Sequence, residues 1–249
     1  VQSLALYPES VASYIERANT REVIMLAIGH RGACGYQPEN TLASFRHAAR
    51  LGCPWIELDV YHVEGQLVVI HDDDLARTTN GEGLVMESSY AYLRSLDAGN
   101  GEQIPTLQEV LEVADSKMNI NVELKGPDTA EPVAALLTNA CQNQWHSEQF
   151  LISSFDHDEL TRASAKFRRG ALFGRPAADI IGRSKEMNAF SVNVSLRMIS
   201  QELVNLAHQA QLKIYVYTVN DQRDIDRLRN WSVDGVFSDF PDRVMENNP

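Results

Sequence analysis

The sequence predicts a (β/α)8 TIM barrel, a closed parallel sheet ringed by helices. Three observations carry the prediction. Short apolar, β-rich runs alternate with stretches of helical period along most of the chain. The strand–helix units number about eight, as barrel closure requires. Four strand ends concentrate the polar residues, and in a barrel the C-terminal strand ends form the active face.

The elements follow in order. The strand run Val23–Gly29 leads to a helix over Thr41–Leu51, with Asn40 or Thr41 as its cap. The runs Trp55–Val63 and Leu67–His71 are separated only by Glu64, Gly65 and Gln66, too few residues for a parallel crossover. They predict a hairpin with a three-residue loop. Pairing Val63 with Leu67 would set Asp59 opposite His71. The second arm is then an antiparallel return, which reduces nine strand runs to eight barrel strands. Residues 73–104 have no clear period and carry Thr78-Thr79-Asn80-Gly81 and Ala98-Gly99-Asn100-Gly101. A loop of this length in a compact barrel is usually functional, and it reads as a small insertion over the barrel mouth. Beyond it the expected helices are Leu107–Ala114, Glu131–Asn143, Asp158–Phe167, Ala177–Lys185, Gln201–Ala210, Gln222–Asn230 (capped by Asn220 or Asp221) and Pro241–Met245. The strands between them are Ile120–Lys125, Phe150–Ser154, Ala171–Phe173, Phe190–Val194, Lys213–Thr218 and Gly235–Ser238.

The chain has 249 residues, and 1–249 reads as one domain with 73–104 inserted in it. Its 44% hydrophobic and 22% charged residues are ordinary for a soluble globular protein. A net charge of −12 argues against sequence-independent binding to nucleic acid or to an anionic membrane. A phosphate must therefore be met locally, by a few placed cations or a metal ion. Cys34, Cys53 and Cys141 are odd in number and show no metal-binding spacing, so reduced thiols in a cytoplasmic protein are expected. Residues 1–22 carry Glu9, Glu16, Arg17, Arg21 and Glu22 and no apolar run of signal-peptide length. The run Val23–Gly29 is too short to span a bilayer, and stable membrane insertion is not expected.

The polar strand ends define the candidate chemistry. The first run ends in His30-Arg31-Gly32, the second holds Glu57-Leu58-Asp59, the return arm ends in His71-Asp72, and a later run holds Glu123-Leu124-Lys125. Alternation puts Glu57 and Asp59 on one face, and likewise Glu123 and Lys125. Charges gathered there must pair or bind a cation. Carboxylates Glu57, Asp59 and Glu123 suit one hard divalent ion, Mg²⁺ or Ca²⁺, with Mn²⁺ a further candidate. They suit zinc less, unless His30 or His71 is recruited. Each residue alone is better explained by a salt bridge or a surface hydrogen bond; their joint occurrence on successive strand ends carries the argument. Asp72 reads as a supporting or capping group, Asp73 and Asp74 as solvated, and His62 and His157 as surface residues.

The ordered set His30-Arg31-Gly32, Pro38-Glu39-Asn40-Thr41, Glu57-Leu58-Asp59-Val60 and His71-Asp72 resembles the glycerophosphodiester phosphodiesterase family. So do Ile104-Pro105-Thr106-Leu107, Glu123-Leu124-Lys125, Ile152-Ser153-Ser154-Phe155, Tyr217-Thr218-Val219-Asn220 and Ser238-Asp239-Phe240-Pro241. The resemblance implies a barrel enzyme that hydrolyses glycerophosphodiesters to an alcohol and glycerol 3-phosphate. It implies His30 and His71 as the acid–base pair, Glu57, Asp59 and Glu123 as metal ligands, and Arg31 and Lys125 as phosphate-contacting cations. Tyr217 stands where the family commonly has Trp, and with Phe155 it would wall the substrate pocket. Glu64 stands where the family often has Asp before the turn glycine, which leaves the chemistry alone. Two other readings are a lysophospholipase D or sphingomyelinase D-like phosphodiesterase, and a non-catalytic phosphodiester-binding barrel. The headgroup, the order in which the histidines act, the nucleophile (the substrate's own 2-hydroxyl or water) and a homo-oligomeric state are left open.

Overall fold

The computed structural model describes residues 25–246. The reading of residues 1–22 and the first two residues of the run Val23–Gly29 lie outside them. Eight parallel strands close a barrel: β1 (Leu26–Gly29), β2 (Trp55–Val63), β4 (Asn119–Leu124), β5 (Phe150–Ser154), β6 (Arg168–Phe173), β7 (Ser191–Ser195), β8 (Lys213–Tyr217) and β9 (Gly235–Ser238). Closure is made where β1 pairs with both β9 and β2. A ninth strand, β3 (Gln66–Val69), pairs antiparallel with β2 outside the barrel. The outer helices are α1 (Leu42–Arg50), α3 (Leu107–Ala114), α4 (Ala130–Ala140), α5 (His157–Arg162), α6 (Ile180–Glu186), α7 (Gln201–Gln209), α8 (Gln222–Asn230) and α9 (Pro241–Met245), with α2 (Tyr90–Ser95) in the 73–104 segment.

Strand alternation divides the barrel into two environments. On β2, Ile56, Leu58 and Val60 join the large core between strands and helices. On β4, Ile120, Val122 and Leu124 do the same. The intervening Glu57, Asp59, Asn121 and Glu123 are also buried, on the opposite, inner face. A smaller apolar cluster of Ile28, Leu151, Tyr215 and Phe237 fills the interior beneath them. Non-polar burial thus anchors the same strands that carry the polar groups.

The hairpin differs from expectation by one residue. Val63 pairs with Gln66 and Val60 with Val69, so the turn holds two residues, Glu64 and Gly65. Both have positive φ, 49° and 78°, which is the two-residue turn whose twist matches the flanking strands. A one-residue slip moves every cross-strand partner. Asp59 is therefore opposite Ile70, whose N–H donates to the Asp59 carbonyl at 3.0 Å, and not opposite His71. His71 lies beyond the end of β3, and the chain leaves the ladder before reaching it.

Other boundaries shifted for local reasons. Helix α5 stops at Arg162 rather than Phe167, because Phe167 turns in to pack edge-on against Phe150. Helix α6 begins at Ile180, not Ala177, where the Asp179 carboxylate caps the Gly182 N–H. Strand β6 starts three residues earlier than Ala171, and its Arg169 side chain serves carbonyls of Thr161, Ala163 and Met187. Segment 73–104 is more ordered than its sequence suggested. It holds α2 and two single 3₁₀ turns, and buries Leu75, Val85, Leu93, Leu96, Ala98 and Ile104 against Tyr61, Val63, Val68 and Ile70 of the hairpin.

Candidate active site

A cavity of about 140 Å³ opens at the C-terminal ends of the strands, lined by His30, Arg31, Glu57, His71, Asn121, Glu123, Phe155, Leu172, Tyr217, Thr218 and Phe237. Strand register explains who meets whom. Asp59 is level with Glu123 across β2 and β4, and Glu57 is level with Asn121. Gly29 is level with Ile56, which brings His30 alongside Glu57.

Ligand oxygens of Glu57, Asp59 and Glu123 lie within 4.8 Å of one another. Each carboxylate has one oxygen held from outside. The Arg31 N–H donates to Glu57 at 2.9 Å, Asn40 Nδ2 to Asp59 at 2.9 Å, and Lys125 Nζ to Glu123 at 3.0 Å. Burial, then the charges of Asp59 and Glu123, push the Glu57 carboxyl well above its ordinary range. Burial and Asp59 push Glu123 up to about 7 against the opposing pull of Lys125. Asp59 Oδ1 is buried with no hydrogen-bond partner. Crowded carboxylates with an orphaned oxygen are what a divalent cation relieves, so these three residues could hold a metal ion.

Two cations flank the cluster. Lys125 Nζ is 3.8 Å from Asp59 as well as paired with Glu123, and Arg31 Nε is 3.4 Å from Asp59 without forming a hydrogen bond. Burial opposes the charge on both, yet the surrounding carboxylates outweigh it and hold both pKa values above the ordinary ones. Arg31 has φ of 49°, followed by Gly32 at 87°. That left-handed pair turns the Arg31 N–H onto Glu57. Gly32 is obligatory there, since a Cβ would come within 2.8 Å of the Ser44 backbone.

Each histidine has a carboxylate on Nδ1. Asp239 Oδ1 is 2.7 Å from His30, and Asp72 Oδ1 is 2.5 Å from His71. A carboxylate only accepts, so Nδ1 carries the hydrogen and Nε2 is the atom free to exchange protons. Asn220 Nδ2 donates to the other oxygen of Asp239 at 2.6 Å, and the Cys34 thiol donates to Oδ1 at 3.0 Å. Burial alone would raise the Asp239 pKa, but these bonds hold it well below the usual carboxylate range. Burial lowers the His71 pKa despite the nearby Asp59 charge. On the far wall Phe155, 46% exposed, meets Tyr217 edge-on at 5.8 Å. The Tyr217 hydroxyl is already committed, donating to the Phe173 carbonyl at 2.9 Å, so its ring rather than its oxygen faces the cavity.

The family model for glycerophosphoryl diester phosphodiesterases matches residues 30–243. The chain belongs to that family. A glycerophosphodiester phosphodiesterase of Caldanaerobacter subterraneus is 34% identical, covering 88% of this chain and 96% of its own length. One from Bacillus subtilis is 32% identical, covering 88% of this chain and 84% of its own length. Among solved structures, an Oleispira antarctica phosphodiesterase in complex with the product sn-glycerol-3-phosphate superposes with a TM-score of 0.82 at 32% identity, covering 90% and 96% of the two chains.

The structure thus brings His30, Arg31, Glu57, His71, Glu123, Phe155 and Tyr217 to one cavity, with Asp59 and Lys125 in direct contact with that group. Sequence reasoning missed Asn121, whose buried Oδ1 is unsatisfied beside the carboxylates. It also gave no role to Asp239, Glu39 or Arg77, and read Asn220 only as a candidate helix cap, a place that Asp221 takes. Asp239 was within reach of a register argument: Gly29 pairs with Ser238, so the next residues on neighbouring strands are His30 and Asp239. His157 is half-buried rather than a plain surface residue, with Nε2 on the Leu172 carbonyl at 3.0 Å; His62 is half-buried too.

Proposed function

We propose that this chain hydrolyses glycerophosphodiesters to an alcohol and sn-glycerol 3-phosphate, with His30 and His71 as the acid–base pair. The carrying observation is the single cavity on which two carboxylate-oriented imidazoles, two cations and three crowded carboxylates converge. One divalent ion held by Glu57, Asp59 and Glu123 would supply positive charge against the phosphate's non-bridging oxygens. The all-oxygen donor set favours Mg²⁺ or Ca²⁺, with Mn²⁺ next. Arg31 and Lys125 add fixed positive charge where it develops on those oxygens. One Nε2 removes the proton of the nucleophile and the other protonates the leaving alkoxide; water as nucleophile gives glycerol 3-phosphate directly, whereas the substrate's 2-hydroxyl gives a cyclic phosphate that water then opens. Phe155 and the Tyr217 ring wall the substrate. A second, open cavity of about 580 Å³ continues past Phe155 and Leu172 toward Arg175 and Arg183, and gives the leaving alcohol room.

Free thiols at Cys34, Cys53 and Cys141 support a cytoplasmic setting. No helix among the described residues is long and apolar enough to cross a membrane. Among the described residues, the exposed Leu84, Met86 and Tyr92 of segment 73–104 favour a lysophospholipid instead. The test is release of the headgroup alcohol from glycerophosphocholine, glycerophosphoethanolamine and lysophosphatidylcholine, with glycerol 3-phosphate measured from the first two and lysophosphatidic acid from the third, with and without EDTA. Turnover of the first two that EDTA abolishes and Mg²⁺, Ca²⁺ or Mn²⁺ restores is expected. No turnover with any of these ions overturns the reading.

A further inference from the structure

Segment 73–104 contributes no side chain to the cavity lining, yet one of its residues reaches both halves of the site. Arg77 Nε donates to Asp72 Oδ2, and the other Asp72 oxygen holds His71 Nδ1. Arg77 Nη1 and Nη2 donate to the two oxygens of Glu39, at 3.0 and 2.7 Å. Glu39 Oε1 in turn accepts from Arg31 Nη1 at 2.7 Å. A single guanidinium thus bridges two carboxylates, one behind the imidazole of His71 and one behind the guanidinium of Arg31. Arginine suits this because its donors lie in one rigid plane, with the Nη1 and Nη2 N–H groups directed as a pair at Glu39 and the Nε N–H at Asp72, whereas lysine offers a point charge on a flexible stem.

The backbone that presents Arg77 is itself fixed. Arg77 ends the 3₁₀ turn Leu75–Arg77, whose Ala76 N–H is capped by the Asp74 carboxylate and whose Leu75 is fully buried in the apolar cluster of this segment. Folding of the insertion therefore sets where the bridge stands. We propose that Arg77 is a positioning residue that ties His71 and Arg31 to one spacing, so that the proton-transferring nitrogen and the phosphate-binding cation address the same phosphate. This rests on the roles given above to His71 and Arg31.

The two arms of the bridge make different kinetic predictions. Loosening Asp72 affects proton transfer and falls on kcat; loosening Glu39 frees Arg31 and falls mainly on KM. With glycerophosphocholine and Mg²⁺, Asp72→Asn should lower kcat and Glu39→Gln should raise KM, each about tenfold, while Arg77→Ala does both. Arg77→Lys should recover less than half of either loss. Millimolar guanidinium should restore activity to Arg77→Ala, and not to the two carboxylate variants; loss of packing alone would not respond to it. The kcat loss of the double variant Arg77→Ala/Asp72→Asn should be smaller than the product of the two single losses, since Arg77 acts on His71 through Asp72. Thermal unfolding identifies variants that fold. If Arg77→Ala does not, Arg77→Lys carries the test, and kcat and KM both within twofold of wild type overturn the proposal. So does a folded Arg77→Ala with wild-type kinetics, or one whose loss guanidinium leaves untouched. A wild-type protein inert toward every glycerophosphodiester sinks the functional reading instead, and that result is separate.

Discussion

His30 and His71 are equivalent in their immediate surroundings, each with Nδ1 against a carboxylate, and they differ in how that carboxylate is held. Asp239 is fixed by Asn220 and Cys34 within the barrel, Asp72 by Arg77 from segment 73–104. Replacing either histidine by Ala should lower kcat at least ~100-fold, the usual contribution of general acid–base catalysis. Near-normal turnover in both variants would remove them from the mechanism. Asp239→Asn is the finer probe. An amide that turns its NH₂ toward His30 reverses the tautomer and leaves Nε2 protonated. A fall in kcat of at least ~10-fold with KM little changed is expected. A variant with wild-type kcat would show that Asp239 only fills space.

Among the elements, the β2–β3 hairpin and the loop after β1 depend on glycine for separate reasons. Gly65 needs φ of 78° but has nothing within 4 Å of where a Cβ would stand. Gly65→Ala should therefore cost only the conformational term, about 1 kcal/mol, and leave activity intact. Gly32→Ala adds a collision with the Ser44 backbone at the turn that aims Arg31. It should destabilise by more and also lower activity. Urea melts of the two variants, compared with their turnover, test this; equal losses in both would contradict it. The elements were legible to different degrees. Strand β4, which alternates strictly, and β2, which alternates over residues 56–60, were readable because one face is apolar and the other polar. Strand β6 was readable only in its apolar half, since Arg168 and Arg169 begin it and pair with groups distant in sequence.

Across the whole molecule, the carboxylate cluster and the hydrogen-bonded carboxylates oppose one another as pH changes. The Arg77 hydrogen bond, outweighing burial, holds Asp72 at about 2, and Asp239 is also depressed. Their stabilisation is present above the unfolded carboxylate pKa near ~3.9 and is lost as pH falls from there through the depressed folded values, about 2 for Asp72. Glu123 and Glu57 are raised, so without metal the folded chain binds protons that the unfolded chain does not. That contribution weakens as pH rises toward and past about 7 for Glu123. In EDTA the melting temperature should increase from pH 8 to pH 6. Saturating Mg²⁺ should raise it most at pH 8, where no proton has to be displaced. A Mg²⁺ effect larger at pH 6 than at pH 8 would contradict metal binding at these carboxylates.

The sequence by itself determined the barrel, its hairpin branch and the gathering of His30, Glu57, Asp59, His71, Glu123 and Lys125 at one end. Local rules suffice for that: period, alternation, and the shortness of the Glu64–Gly65 connection. It did not determine the hairpin register, because loops of two and three residues fit the same letters and only the sign of φ at Glu64 distinguishes them. Nor did it reveal the groups that hold the histidines. His30 and Asp239 lie 209 residues apart, and Arg77 and Glu39 lie 38 apart. Such contacts come from closing β1 against β9 and from packing the insertion core. Both are events between distant segments, and nothing in the letters adjacent to His30 or Arg77 records which partner closure will bring to them.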